Sequence, residues 1–147
     1  MSEVLREFLD PEKTIAVVGA TNNPEKWGYK LYRFFKGRYR EVFPVNPKYE
    51  KVLGDKCYPS LKALPKTPDI VDLVVRSDIA VKYVKECIEL GIRMIWFQPG
   101  SESEEALELC RKHGIIEVHG MCLMEEGKKS ATSITPIFSS EEEGREP

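Results

Sequence analysis

Hydrophobic positions along the chain fall into two alternating kinds of segment. Short runs of β-branched and aromatic residues, typical of buried strands, lie at about 14–19, 41–45, 70–75, 93–97 and 115–118. Helices are predicted at 3–9, 28–36, 78–90 and 103–113, where apolar residues recur at helical spacing or capping residues mark the ends. This alternation predicts an α/β fold: a Rossmann-like, doubly wound, mainly parallel five-stranded sheet in a three-layer α/β/α arrangement.

The helix starts and one connecting segment carry more specific expectations. Asp78 is predicted to cap the helix at 78–90, because short polar side chains accept hydrogen bonds from first-turn amides. Either Ser103 or Ser101 is predicted to cap the helix that follows. The segment 60–64 is predicted to form at most a brief helix, because Pro65 stops it.

The C-terminal part of the chain differs in composition from the rest. From Gly127 onward Lys, Ser, Thr and Glu dominate, and the segment lacks the apolar content that would order it. We therefore predict one folded domain over residues 1–126, followed by a disordered charged tail over residues 127–147.

Composition and charge narrow the class of protein. The chain has 147 residues, of which 41% are hydrophobic and 31% charged, as in one ordinary globular domain. A net charge of −2 argues against a broad nucleic-acid surface. The sequence shows no signal-peptide pattern and no run of about 20 apolar residues, so no membrane partner is expected. The four cysteines are widely spaced, which suits free thiols in the cytoplasm.

The segment 14–29 contains the most informative motif. The apolar run of the first strand stops at Gly19, and a turn of small residues leads into a helix near Gly28. In such a strand–turn–helix unit the glycine lets a ligand approach, and the amides at the helix start favour an anion. The spacing is not that of the ordinary dinucleotide fingerprint, because Thr21 stands where a second glycine would be. The motif therefore predicts a phosphate site for another nucleotide-type ligand.

The residues that directly follow the predicted strands are expected to lie together. In open parallel sheets the ligand binds outside the carboxyl ends of the strands, where the strand order reverses. We therefore expect five groups to border one crevice: Gly19–Thr21, Asn46–Lys48, Arg76–Ser77, Gln98–Gly100 and His119–Cys122.

The end of the second strand indicates the kind of ligand. Nicotinamide-binding sheets usually place an acid there, which accepts hydrogen bonds from the adenosine ribose. Here the segment 46–48 follows the strand, and no acid occurs before Glu50. Lys48 favours a ligand with a phosphate on its ribose, which coenzyme A carries at the 3′ position and NADP at the 2′ position. Lys26 and Arg76 would share the remaining negative charge of such a ligand.

Five pieces of sequence combine into a pattern that extends over about residues 12–126. They are Val17–Gly28, Pro44–Lys48, Gly54–Leu61, Asp72–Arg76 and Trp96–Gly100. With these pieces the chain resembles the small, stand-alone CoA-binding proteins. Their fold is similar to the CoA-binding domains of the succinyl-CoA synthetase α subunit and of ADP-forming acyl-CoA synthetases.

The resemblance implies coenzyme A as the ligand and gives roles to particular residues. The diphosphate and adenosine end would be held by Gly19, Ala20, Thr21, Lys26, Asn46, Pro47 and Lys48, with Gly28 in the same glycine motif. The ribose or the start of the pantetheine arm would lie near Val75, Arg76, Gln98 and Gly100. Many members have Arg-Cys-Pro near the C-terminus, where this chain keeps only the thiol, as Cys122.

The resemblance also bears on catalysis. Synthetase relatives phosphorylate a histidine in a further domain, and the two histidines here, His113 and His119, are read as structural. We therefore expect a binding, carrier or sensor module for CoA or acyl-CoA without catalytic residues or a metal. A separately encoded acyl-CoA enzyme is a candidate partner. Two alternatives stay open, a small NADP-dependent oxidoreductase and a protein-interaction module that keeps only the fold, as does the oligomeric state.

Overall fold

A parallel sheet forms the centre of the molecule, in a computed structural model that describes residues 2–134. The strands are β1 (Thr14–Val18), β2 (Glu41–Val45), β3 (Lys51–Val52), β4 (Asp55–Lys56), β5 (Ile70–Leu73), β6 (Met94–Phe97) and β7 (Ile116–Val118). Five of them form one sheet in the order β2-β1-β5-β6-β7, and every neighbouring pair is parallel. This confirms the predicted fold. Strands β3 and β4 form an additional antiparallel hairpin that was not predicted.

Helices cover both faces of the sheet. They are α1 (Glu3–Phe8), α2 (Trp27–Phe35), α3 (Ser77–Leu90), α4 (Glu104–Lys112) and α5 (Leu123–Ile134). Helices α1, α2 and α5 pack on one face, and α3 and α4 pack on the other. Consecutive residues of β1, such as Ala16 and Val17, belong to opposite cores and are fully buried, which explains the unbroken apolar run. Within residues 2–134 there is no helix with the length and hydrophobicity needed to cross a bilayer.

The strand order reverses between β1 and β5. From β1 the chain passes through α2 to β2 on one side. It then crosses to β5, on the other side of β1, and continues outward through α3, β6 and α4 to β7. The loops after β1 and β5 therefore leave the sheet towards opposite faces, which opens a space between them.

One acidic side chain lies in the centre of the sheet. Asp72 on β5 is fully buried between Val17 of β1 and Trp96 of β6. Neither of its carboxylate oxygens has a hydrogen-bond partner in the described part of the chain. Burial raises the pKa of Asp72 well above its ordinary value, because desolvation disfavours the charged form of the carboxyl.

One of the local predictions at helix ends needs correction. Helix α3 begins at Ser77 with Arg76 as its N-cap residue, so Asp78 lies inside the first turn and does not cap it. The segment 60–64 forms turns and bends and no helix, within the limit predicted, and the backbone amide of Leu61 donates to the carboxylate of Glu86 on α3. The cap of α4 is Ser103, one of the two residues predicted, and its hydroxyl accepts the amide of Ala106 at 3.1 Å.

The predicted start of the disordered tail is also wrong. Helix α5 continues from Leu123 to Ile134, so residues 127–134 are helical. The reason is tertiary packing: Leu123 is fully buried, and Gly127 lies against Phe34 of α2. The rest of the predicted tail, residues 135–147, lies outside the described residues.

Candidate functional site

A crevice of about 930 Å³ opens at the carboxyl edge of the sheet, at the ends of β1 and β5. Its wall consists of Gly19, Thr21, Glu25, Lys26, Trp27, Gly28, Val45, Asn46, Pro47, Lys48, Tyr49, Val74, Val75, Arg76, Ile79, Tyr83, Pro99, Gly100 and Ser101. Ten of the twelve predicted site residues belong to this wall, and the two others are Ala20 and Gln98. The volume suits a ligand of nucleotide size.

Two glycines bring β1, α2 and the loop after β5 into close contact at the base of the crevice. Gly19 has a φ of +102°, which other residues rarely adopt, and a Cβ there would overlap the carbonyl oxygen of Val74. A Cβ on Gly28 would overlap the carbonyl oxygen of Gly19. The shape of the crevice therefore depends on the absence of a side chain at both positions.

The loops after β1 and β2 are joined by one asparagine side chain. The Nδ2 atom of Asn46 donates to the carbonyl oxygen of Ala20 at 2.9 Å, and its Oδ1 accepts the amide of Lys48 at 2.9 Å. The side chain of Ala20 is fully buried. Ala20 thus supports the loop through its backbone and is not among the residues that line the crevice.

The cationic side chains predicted for the site border the crevice. Lys26 and Lys48 are exposed on its wall, which among the described residues contains one acid, Glu25. Lys26 is also the N-cap residue of α2, and no described side chain caps that helix. The amides of the first turn therefore keep a positive partial charge at the crevice.

Arg76 differs from the two lysines because it already has an anionic partner. Its Nε donates to Oδ1 of Asp78 at 3.1 Å, and its second guanidinium nitrogen donates to Oδ2 at 2.9 Å. The guanidinium holds the pKa of the Asp78 carboxyl below its ordinary value. In the described chain no ion pair involves Lys26 or Lys48, so these two lysines have the larger uncompensated charge.

Another part of the wall is apolar. Val75, Ile79 and Tyr83 are half-buried residues of the loop after β5 and of α3. Burial raises the pKa of Tyr83, so its phenol is neutral. Trp27 of α2 is 55% exposed, and the ammonium of Lys30 lies 4.8 Å from its ring centroid. The crevice thus offers apolar and aromatic surface as well as positive charge.

The loop after β6 contributes one residue that was missed and one that was misplaced. Ser101 is buried, and its hydroxyl donates to the carbonyl oxygen of Val75 at 2.6 Å and accepts the amide of Val75 at 3.2 Å. It therefore fixes the end of the loop after β5. Gln98, predicted to lie near the ligand, is turned away, because its Oε1 accepts the amide of Leu123 at the start of α5.

The fifth predicted group, residues 119–122, does not reach the crevice. Strand β7 lies at the edge of the sheet opposite β2, two positions from β5, and none of these residues belongs to the described wall. The carbonyl oxygen of Met121 accepts the indole N–H of Trp96 at 2.7 Å, and Nδ1 of His119 lies 2.9 Å from a carboxylate oxygen of Glu117. The expectation that all five groups share one crevice was therefore wrong for this group.

Other lining residues were not predicted. They are Glu25, Val45, Tyr49, Val74, Ile79, Tyr83 and Ser101, whereas Pro99 was expected as part of the group 98–100. Most are neighbours of predicted residues, so extending each group by one or two positions would have found them. Ile79 and Tyr83 are different, because their place on the wall depends on how α3 lies against the sheet.

The crevice combines several kinds of polar and apolar group. Its described wall contains no histidine and no cysteine. Three of the four free cysteines, Cys57, Cys87 and Cys110, are buried, and burial raises the pKa of each thiol. Positive charge, backbone amides and apolar surface together suit an anionic ligand with an apolar portion.

The fold and the crevice define a nucleotide-type binding domain of the doubly wound α/β class. A family model described as CoA binding domain matches residues 13–128. The chain therefore belongs to the CoA-binding domain family, and coenzyme A is the ligand that this membership supports. The resemblance inferred from the sequence is confirmed.

Relatives of two kinds share this domain. YneT of Bacillus subtilis is 29% identical, over 81% of this chain and 88% of its own length. A solved structure from Pyrococcus horikoshii is 38% identical, with a TM-score of 0.81, over 86% of this chain and 89% of the other. Acetate–CoA ligase (ADP-forming) II of Archaeoglobus fulgidus is 30% identical over 91% of this chain, which spans only 22% of that ligase.

Proposed function

We propose that the crevice binds coenzyme A or an acyl-CoA, with the diphosphate at the glycine turn between β1 and α2. The supporting observation is that ten predicted site residues, from separate parts of the sequence, line one crevice at the reversal of strand order. Gly19 and Gly28 allow the phosphates to approach the backbone, and Lys26 with the first amides of α2 supplies positive charge.

Lys48 is the proposed partner of the 3′-phosphate. It follows β2 beside Asn46, which holds the Lys48 amide and so fixes the backbone from which the ammonium extends. Its charge is not compensated by an ion pair within residues 2–134. A ligand without the 3′-phosphate would lose this contact.

The apolar part of the wall is the proposed site of the pantetheine arm. Val75, Ile79 and Tyr83 offer half-buried surface that an extended, weakly polar chain would cover. Trp27 is the exposed aromatic ring nearest in sequence to the glycine turn, and it offers a face for the adenine.

The proposed role is that of a carrier or sensor without catalysis of its own. The lack of histidine and cysteine on the described wall supports this. A separately encoded acyl-CoA enzyme is the proposed protein partner. Four free thiols support a cytoplasmic location, where thiols stay reduced.

Calorimetric titration of the purified protein with CoA, dephospho-CoA, NAD and NADP tests the proposal. We expect CoA to bind most tightly and dephospho-CoA more weakly by about tenfold, the effect of losing one charged contact. Equal affinities for CoA and dephospho-CoA would refute the role of Lys48. Selective binding of NADP would favour the oxidoreductase alternative, and no binding of any of the four would refute the proposal.

A further inference from the structure

The hairpin of β3 and β4 holds the ligand loop, defined as residues 20–26, from outside the crevice. The Nδ2 atom of Asn22 donates to the carbonyl oxygen of Lys51 at 2.8 Å, and its Oδ1 accepts the amide of Leu53 at 2.9 Å. Asn22 does not belong to the wall of the crevice, although Thr21 does. Its side chain therefore acts on the hairpin and not on a ligand.

The turn that Asn22 holds is strained. Leu53 has a φ of +51°, and it is the one non-glycine residue with a positive φ among residues 2–134. Gly54 follows with a φ of +84°. Two positive φ values in succession are typical of a tight hairpin turn that favours Asn-Gly, so leucine is an unfavourable first residue. Such strain persists only where surrounding contacts impose the conformation.

The hairpin is also attached to α2, the helix that begins at the crevice. The Oδ2 atom of Asp55 accepts a hydrogen bond from the hydroxyl of Tyr32 at 2.7 Å and lies 2.8 Å from the ammonium of Lys36. Burial opposes ionisation of Asp55, but the hydrogen bonds from Lys36 and Tyr32 outweigh it and lower its pKa. The carboxylate is therefore charged at neutral pH, and it anchors the hairpin to α2.

A further contact reaches the ligand loop from the segment before the hairpin. The hydroxyl oxygens of Thr21 and Tyr49 lie 2.7 Å apart, and the hydroxyl of Thr21 also accepts the amide of Asn23. The ligand loop is thus held by residues 51–53 outside the crevice and by Tyr49, which itself belongs to the wall.

We propose that Asn22 is a positioning residue for the bound coenzyme A, an inference that rests on the proposed function. Its two hydrogen bonds to the hairpin, together called the clasp, fix the ligand loop in a conformation that places Thr21 and Lys26 on the wall before the ligand binds. A loop that is ordered in advance loses less entropy on binding, so affinity depends on the clasp although Asn22 does not touch the ligand.

The test compares Asn22→Ala with Glu86→Ala. The Glu86 carboxylate accepts the amides of Leu61 and Lys62, so each substitution removes two long-range bonds to the backbone, but Glu86 lies outside the wall. We expect Asn22→Ala to weaken CoA binding about tenfold, as two hydrogen bonds are lost, and Glu86→Ala to change it less than about twofold. A folded Asn22→Ala protein with wild-type affinity would overturn the inference.

If Asn22→Ala does not fold, a second pair of substitutions, each of which keeps the size of the side chain, provides the test. Asn22→Asp keeps the acceptor for Leu53 and loses the donor to Lys51. Asn23→Asp adds the same charge to the loop and keeps its own acceptor for the amide of Glu25. Binding should be weaker in Asn22→Asp than in Asn23→Asp, and equal affinities would contradict the clasp.

Amide hydrogen exchange without ligand separates this inference from the proposed function. We expect the amides of residues 20–26 to exchange faster in Asn22→Ala than in the wild type and in Glu86→Ala. If wild-type protein does not bind CoA, the proposed function fails, and unchanged loop exchange would then overturn the positioning role as well. Faster exchange of the loop amides in Asn22→Ala than in the wild type would still support the conclusion that Asn22 orders this loop.

Discussion

The carboxyl ends of β1 and β7 have the same local pattern but different surroundings. Each strand is followed by a glycine with a positive φ, Gly19 at +102° and Gly120 at +82°, and then by a helix. After β1, the helix start and the glycine face the crevice. After β7, Gln98 accepts the first amide of α5, and Met121 accepts the indole N–H of Trp96.

A glycine turn alone therefore does not create a crevice, which here opens at the reversal of strand order. β1 lies at the reversal, where neighbouring loops diverge and leave its polar groups to a ligand. β7 lies at the sheet edge, where the chain folds back and satisfies its polar groups internally.

The largest effect is expected at the base of the crevice. Gly28→Ala places a methyl group against the backbone oxygen of Gly19, so we expect loss of about 3 kcal/mol or more in the free energy of unfolding. Gly127→Ala is the matched control, because this helical glycine would meet the ring of Phe34 at 3.2 Å, and a side chain can shift. Urea denaturation measures both. Equal small effects would contradict the close contact.

The second effect concerns the pH dependence of stability, through the buried Asp72 in the centre of strand β5. Asp72 is protonated in the fold and ionised in the unfolded chain once the pH exceeds about 4, so its contribution to stability is lost as the pH rises. Relative to Asp72→Asn, the wild type should lose up to about 1.4 kcal/mol per pH unit as the pH rises above about 4, until the folded carboxyl itself ionises. Parallel pH profiles of the two proteins would show that Asp72 is not a buried neutral acid.

The third effect concerns charge at the crevice. Lys48→Glu should weaken CoA binding about tenfold and affect dephospho-CoA much less, because the lost contact is to the 3′-phosphate. Lys112→Glu on α4 changes the net charge equally at an exposed position outside the wall. Calorimetry should show little change for this control. The same loss in both variants would mean that overall charge, and not Lys48, governs affinity.

The smallest effect is expected after β7. His119 contacts Glu117 and lies outside the wall, so His119→Ala should change CoA affinity by less than about twofold. Fluorescence of Trp27, which is exposed on the wall, would follow the titration. A loss comparable to that of Lys48→Glu would place β7 in the binding site and remove the contrast with β1.

Much of the fold and most of the crevice could be predicted from local patterns in the sequence. The apolar runs predicted five parallel strands, and the glycine turn with the segment after β2 predicted most of the crevice. These features depend on contacts close in sequence or on the general rule for carboxyl ends. The hairpin was not predicted, because β3 and β4 have two residues each and are held by Asn22 and Asp55 through contacts distant in sequence.

The errors have the same origin. The direction of the Gln98 side chain depends on α5, and α5 depends on packing of Leu123 and Gly127 against the body of the protein. Composition predicted disorder from Gly127 because it contains no information about such tertiary packing. Likewise, aspartate is a common N-cap residue, but the carboxylate of Asp78 accepts hydrogen bonds from the Arg76 guanidinium.

The most direct test is an NMR titration of ¹⁵N-labelled protein with CoA, following the backbone amides. We expect the largest shift changes in residues 19–28, 46–48, 74–76 and 99–101, which surround the crevice. We also expect little change in residues 116–122, after and along β7. Shift changes centred on residues 116–122, or none at the glycine turn on saturation with CoA, would contradict the claim that the site lies at the reversal of strand order.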